Sequence, residues 1–202
     1  MTAALISATR ADLCLDFANT LYWRGSDPPT EGLKAPADLL AWCAAQGTLD
    51  AGSLKPFAPQ WKSHPRTAAA AFAEAVELRE AIYRVFSSAA SGEEAVAADV
   101  DLLNTALAQV PARARLHRTA KGYCWRAEKT GTTVPVLLAP VLWSAGDLLA
   151  GGQVARIRQC ENEKCRWLFL DGSKAGVRRW CSMSSCGNRA KAQRHYVRKR
   201  QA

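Results

Sequence analysis

The chain has no apolar run long enough to cross a membrane. Its longest, residues 134–143, is ten residues and contains Pro135 and Pro140, against roughly 20 for a spanning helix. No basic stretch followed by an apolar segment and a small-residue cleavage site opens the sequence, so no secretory signal is expected. Histidine is scarce, with only His64, His117 and His195. Absent too are a phosphate-binding loop, a nucleophile elbow, a dinucleotide glycine pattern and a paired-histidine zinc motif. The chain is therefore expected not to be an enzyme. With 49% apolar and 22% charged residues in 202, it can build the cores of one or two small domains, which excludes disorder and fibrous repeats.

Acidic residues are lacking where basic ones gather. Residues 1–149 hold 14 Lys and Arg against 15 Asp and Glu, whereas residues 150–202 hold 13 against 3. The formal charge of +9 thus arises in the last quarter, which predicts a basic module for a polyanion attached to an electrically ordinary domain. Cysteine divides at the same place. Cys14, Cys43 and Cys124 are scattered and read as small buried apolar residues, while Cys160, Cys165, Cys181 and Cys186 crowd into 27 residues. Seven cysteines without an export signal point to a reducing cytoplasmic compartment and a metal site rather than a disulfide framework.

The fold class expected is mainly α with a small β-hairpin. An α-rich domain over 1–150 precedes a four-cysteine module over 151–202 that ends in a basic helix, with Gly151-Gly152 at the boundary. Pro36 opens a helix through Leu39, Leu40 and Trp42 that Gly47 closes. Two loops are expected, at 25–29 and 52–59. The Ala-rich segment 66–90 places Ala75, Leu78, Ile82, Val85 and Phe86 on one helical face. Ser91-Gly92-Glu93-Glu94 has capping-box spacing before a helix carrying Val96, Val100, Leu103, Leu107 and Val110, and the two helices are expected to pack antiparallel. Alternation around Tyr123 and Trp125 predicts a two- or three-stranded element over 113–128. Segment 133–150 reads as a buried helix kinked at Pro140.

Within the first domain, Asp16, Asn19 and Trp23 fall at helical spacing amid apolar residues. Two readings compete there. The three line a pocket for a small-molecule effector, or Asp16 and Asn19 cap the following loop while Phe17, Leu21 and Trp23 fill the core.

The four clustered cysteines read Cys-x4-Cys-x15-Cys-x4-Cys. Zinc takes a tetrahedron of thiolates, and two local pairs let a separate turn organise each half. Four thiolates leave no open coordination position, so one structural Zn2+ is expected, without metal catalysis. Trp167, Leu168, Phe169, Leu170 and Trp180 make a thin core for this module, so zinc loss is expected to unfold 160–202.

Arg178 and Arg179 stand just before the third cysteine, and the helix after the fourth carries Arg189, Lys191, Arg194, His195, Arg198, Lys199 and Arg200. Lys191, Arg194, His195 and Arg198 share one helical face. Such crowding gains from phosphate, which makes duplex DNA the expected partner, in a nucleoid-associated protein. A solvated tail, or a zinc-stabilised platform for RNA or protein, are the alternatives. A lone finger covers little DNA, so a homodimer is expected.

These residues also carry a resemblance. Cys186-Gly187-Asn188-Arg189, with Arg179-Trp180-Cys181-Ser182-Met183 before it and residues 165–171 upstream, resembles the CGNR zinc finger of bacterial transcription regulators. Leu15-Asp16-Phe17-Ala18-Asn19-Thr20 and Leu148-Leu149 are similar to the ABATE domain that accompanies that finger. The resemblance implies a stress-responsive, DNA-binding regulator with Cys160, Cys165, Cys181 and Cys186 on zinc. Beside the motif, Asn188 is expected to cap the basic helix. Arg189 is expected to meet phosphate or a zinc-bound thiolate.

Overall fold

The computed structural model describes residues 4–7, 10–120, 122–127 and 131–201. Its longest element is α5 (Pro65–Ser91). Ala75, Leu78, Ala81, Ile82, Val85 and Phe86 form the buried face of α5, and Gly92 ends it in a left-handed cap at φ 74. Around α5 pack α1 (Leu13–Ala18), α2 (Pro36–Gln46), α4 (Phe57–Ser63), α6 (Ala97–Leu107) and α7 (Val134–Leu137). α1 also packs on α8 (Ala139–Ala150). Phe17 of α1 sits 5.1 Å from the Trp42 ring of α2. Buried Ser144 of α8 accepts from the Cys14 amide and donates to the Ala11 carbonyl, both at 3.0 Å, meeting the unpaired groups at the start of α1.

The helix closed by Gly47 (φ 65) and the long Ala-rich helix form as expected. Three local expectations are corrected. The segment 52–59 is not a loop: Asp50 accepts from the Ser53 amide at 2.9 Å and starts α3 (Ala51–Leu54), and α4 follows with Phe57 and Trp61 buried. Ser91-Gly92-Glu93-Glu94 is no capping box, because Gly92 terminates α5 and α6 starts after Val96 without a side-chain cap. Segment 133–150 is two helices, broken at Leu138, since Pro140 fits the first turn of a new helix better than the interior of an old one.

β4 (Arg115–Thr119) and β5 (Gly122–Ala127) form the expected hairpin, and β1 (Ala4–Ile6) adds a third antiparallel strand against β5. Lys121 and Glu128 lie outside the described residues.

β2 (Leu21–Tyr22) pairs with β3 (Thr30–Glu31). An ion network fixes the loop between them to α5. Arg79, 2% exposed, donates to both oxygens of Glu31 at 2.6 and 2.8 Å and to Glu80 at 2.8 Å. Arg24 donates to Glu80 at 2.6 Å and to the Ala18 carbonyl at 2.8 Å, with its guanidinium 3.7 Å over Tyr83. Burial alone would raise the Glu80 pKa, but Arg24 and Arg79 outweigh it and hold the carboxyl below its ordinary value.

After α8, β6 (Ile157–Gln159) and β7 (Leu168–Leu170) pair antiparallel and pack on α5. Ile157 and Leu168, each 1% exposed, join the same apolar core as the helices. Gln159 donates at 2.9 Å to both Tyr83 and Ser87 of α5. The front of the cysteine module is thus built into the helical body. The last element, α9 (Asn188–Gln201), packs on the turn that precedes it. Among the described residues no helix is long and apolar enough to cross a membrane.

Candidate metal centre and basic helix

The first cysteine pair grows out of the β6–β7 ladder. The Cys160 amide donates to the Trp167 carbonyl at 2.8 Å, extending the ladder. The chain then turns about Asn162, whose carbonyl accepts from the Cys165 and Arg166 amides at 2.8 and 3.1 Å. Arg166 takes a left-handed conformation at φ 52 to bring the chain back. The Asn162 side chain works twice: its oxygen accepts from the Lys164 amide at 3.1 Å, and its amide lies 3.5 Å from Cys186 Sγ, as a donor to sulfur. Such a donor beside a thiolate stabilises its charge.

Asp171, fully buried, shapes the approach to the second pair by accepting from the Ser173 and Arg178 amides, both at 2.9 Å. Bonds from Ser173 and from the Arg178 amide hold its pKa down to about 2. The Arg178 guanidinium donates to the carbonyls of Trp180 (2.9 Å) and Cys181, and lies 4.5 Å over Phe169. Glu161 donates its amide to the Arg179 carbonyl at 3.1 Å, and its carboxylate pairs with the Arg179 side chain at 2.7 Å. These contacts tie the two cysteine turns together. A wide helical turn, Met183–Gly187, then delivers Cys186 and leads into α9, closed by the Gly187 amide on the Ser182 carbonyl at 3.0 Å.

The sulfurs of Cys160, Cys165, Cys181 and Cys186 all lie within 4.8 Å of one another. Cys165 and Cys181 are 3.7 Å apart, and Cys181 and Cys186 are 3.8 Å apart. A tetrahedron with metal–sulfur bonds of about 2.3 Å has edges of about 3.8 Å, so the spacing is that of a four-thiolate zinc centre. The sulfurs alone oppose full ionisation. Hydrogen bonds from Cys165 and Cys181 favour the Cys160 thiolate, while Cys160 in turn pushes the thiols of Cys165 and Cys181 up. Four thiolates this close require a multivalent cation, and the soft donor set with no open position fits one structural Zn2+.

The other predicted site residues do not act as one group. Asp16 is half-buried on α1 and pairs with Arg10; burial raises its pKa against the pull of that partner. Asn19 is fully buried, and its side chain is spent on β7 rather than on the loop after it. It donates to the Leu168 carbonyl at 2.8 Å and accepts from the Leu168 amide at 3.0 Å, pairing with β7 across 149 residues. Trp23 packs on the cysteine cluster. The three therefore do not form one pocket. Asn188 is helical (φ −68, ψ −38), so it does not cap α9; its side chain donates to the Ser184 carbonyl at 3.4 Å. Arg189 meets no sulfur: its guanidinium lies 4.6 Å over the Trp23 ring. Lys191, Arg194, Arg198, Lys199 and Arg200 are exposed along α9. The side chain of His195 lies outside the described residues.

Sequence reasoning missed Asn162, Asp171 and the loop that receives the first cysteine turn. Gly25 donates its amide to the Lys164 carbonyl at 3.2 Å, and a Cβ there would stand 1.7 Å from the Glu163 carbonyl oxygen. The available signal was the four-residue gap: a turn that long needs an internal acceptor, and Asn is a common one.

Two family models match the chain. One, ABATE, described as "Putative stress-induced transcription regulator", matches residues 11–152, and the other, the CGNR zinc finger, matches residues 156–199. No curated protein gives a significant match. With the first model spanning well over half of its length and the second spanning the whole cysteine cluster, the chain belongs to the ABATE family and carries a CGNR zinc finger.

Proposed function

We propose that this zinc-binding protein is a DNA-binding transcription regulator in which α9 lies along duplex DNA and the ABATE part mediates association or effector control. The observation that carries the reading is α9 itself. Its 14 residues include six Lys and Arg and no acid, and it leaves the body on a turn held by the metal ligand Cys186. Arg189, Ala190 and Gln193 face a hollow shared with Glu161, Glu163 and Lys164 of the first cysteine turn, where acidic and basic side chains balance. Lys191, Arg198 and Lys199 lie on the opposite side by helical geometry and are the phosphate contacts. The guanidinium groups of Arg178, Arg179 and Arg189 are turned onto partners within the protein, whereas Arg194 gives only its Nε, to the Ala190 carbonyl at 3.3 Å, and its outer nitrogens make it the candidate for base contact. Two copies on adjacent half-sites supply the specificity that one short helix lacks. The reading assigns the chain no reaction and places it with the nucleoid in the cytoplasm.

The test is binding of a labelled duplex library by zinc-loaded protein at two salt concentrations. Substituting Lys191→Ala, Arg194→Ala and Arg198→Ala together is expected to weaken binding at least tenfold and to reduce the salt slope by up to about one per residue. Unchanged affinity in that variant, or a preference for single-stranded RNA over duplex, would overturn it.

A further inference from the structure

Beside the four sulfurs lies a cavity of about 310 Å3. Tyr22 and Trp23 contribute to its wall from the N-terminal part, and Trp167, Ser182 and Ser185 from the finger, with three of the four cysteines completing it. The Tyr22 and Trp167 rings are 5.7 Å apart and inclined by 31°. Trp23 is held in the left-handed region at φ 53, a strained conformation for a bulky side chain that persists only where its surroundings impose it. The surroundings here are the Arg24 anchor to Glu80 and the Ala18 carbonyl on one side and Gly25 on the Lys164 carbonyl on the other.

The lining is unusual for so basic a module, because among the described residues no Lys, Arg or His belongs to it. Arg189 reaches Trp23 from a neighbouring hollow. What does line the cavity attracts positive charge. Aromatic faces carry negative potential, four thiolates around one Zn2+ carry a net charge of about −2, and serine oxygens accept hydrogen bonds. An anion is repelled by the sulfurs. A bare metal ion would lose its water without the oxygen cage that replaces it. A cation with an apolar shell satisfies every wall at once, and the volume falls at the small end of ligand pockets.

We propose that this cavity binds a small free alkylated ammonium ion of the trimethylammonium class, held by Tyr22, Trp23 and Trp167 against the zinc-bound thiolates. The inference rests on the zinc-loaded centre and is independent of DNA binding. It also makes Trp23 a ligand contact, although Asp16 and Asn19, grouped with it by sequence spacing, lie elsewhere.

The test uses full-length protein assayed at one zinc per chain. Choline and its neutral isostere 3,3-dimethylbutan-1-ol are titrated separately while the indole N–H resonances are followed. Choline is expected to shift the Trp23 and Trp167 signals saturably and to bind at least tenfold more tightly than the isostere. Tyr22→Leu, which removes no metal ligand, is expected to weaken choline binding about tenfold while leaving zinc content unchanged and lowering the melting temperature by only a few degrees. Trp23→Phe, which shortens one wall, should weaken it less. Equal binding of choline and the isostere would reduce the cavity to an apolar hollow and overturn the proposal, as would the absence of saturable shifts in zinc-loaded protein. Co-sedimentation with phosphatidylcholine vesicles, lost in Tyr22→Leu, would overturn the assignment to a free ion in favour of a lipid headgroup. Failure to load zinc would overturn the metal centre itself, and this proposal with it.

Discussion

The two halves of the finger are held in different ways. The front half, β6 and β7, buries Ile157 and Leu168 in the helical core and is tied to it by Asn19 and by Gln159 on Tyr83 and Ser87. In the back half, residues 172–201, Cys186 joins the apolar cluster centred on the cysteines, and the helix that follows is exposed. One cysteine pair therefore stands directly on the helical core, while the other reaches that core through the first cysteine turn, by Glu161 on Arg179 and Asp171 on Arg178, and through the metal that the four sulfurs fit. A preformed first pair lowers the ordering cost of zinc capture. The contact between Arg189 and Trp23 joins the start of α9 to the loop after α1.

Zinc removal gives the largest expected effect and the sharpest break in the comparison. Structural zinc in small cysteine modules contributes on the order of 10 kcal/mol to their folding. Chelation is expected to abolish amide-exchange protection over 179–201 while the Ile157 and Leu168 amides keep theirs. This narrows the expectation, from sequence alone, that all of 160–202 would unfold. Uniform loss of protection from 157 onwards would mean that the front half depends on the metal as well.

Cutting the foundation is the converse experiment. Asn19→Ala leaves the amide and carbonyl of Leu168 buried without their partner and is expected to cost about 3 kcal/mol in urea unfolding of the zinc-loaded protein. Gly25→Ala drives a methyl group into the Glu163 carbonyl, and relief requires the loop or the cysteine turn to move, at about 1–3 kcal/mol. If both variants unfold as wild type does, the finger is an independent module and the division between its halves is wrong.

What was legible in the sequence follows the range of the interactions involved. The zinc ligands were legible because their spacing is local, and the Ala-rich helix because its apolar period repeats over about three turns from Ala75 to Phe86. Asn19 was singled out but misassigned: its partner is a strand 149 residues away, and no local pattern encodes that pairing. The same holds for Arg79 and Glu80 of α5, whose partners Glu31 and Arg24 are brought over that helix by β3 and the loop after β2. Arg178 and Arg179 read as free cations because they lie in a charge-rich run, whereas the fold turns them onto the carbonyls of Trp180 and Cys181 and onto Glu161. Charge composition identified the module, and tertiary contacts decide which cations remain for a partner.

The smallest expected effect locates the joint between the two halves. Asp171 follows β7 directly, donating its amide to the Arg156 carbonyl at 2.8 Å on the front half, while its carboxylate accepts from Ser173 and Arg178, which lead into the back half. Its folded pKa of about 2 lies below the ordinary aspartate value of 3.8. The bonds that depress it therefore stabilise the fold fully above about pH 4, and that contribution fades as the pH falls towards 2. Carboxyl NMR titration of zinc-free protein reports which half owns the turn. A value still near 2 places residues 171–178 on the preformed foundation, with metal dependence starting at Arg179. A value returning to about 3.9 places the joint at Asp171 itself, and Asp171→Asn would then alter zinc affinity without changing the stability of the apo protein.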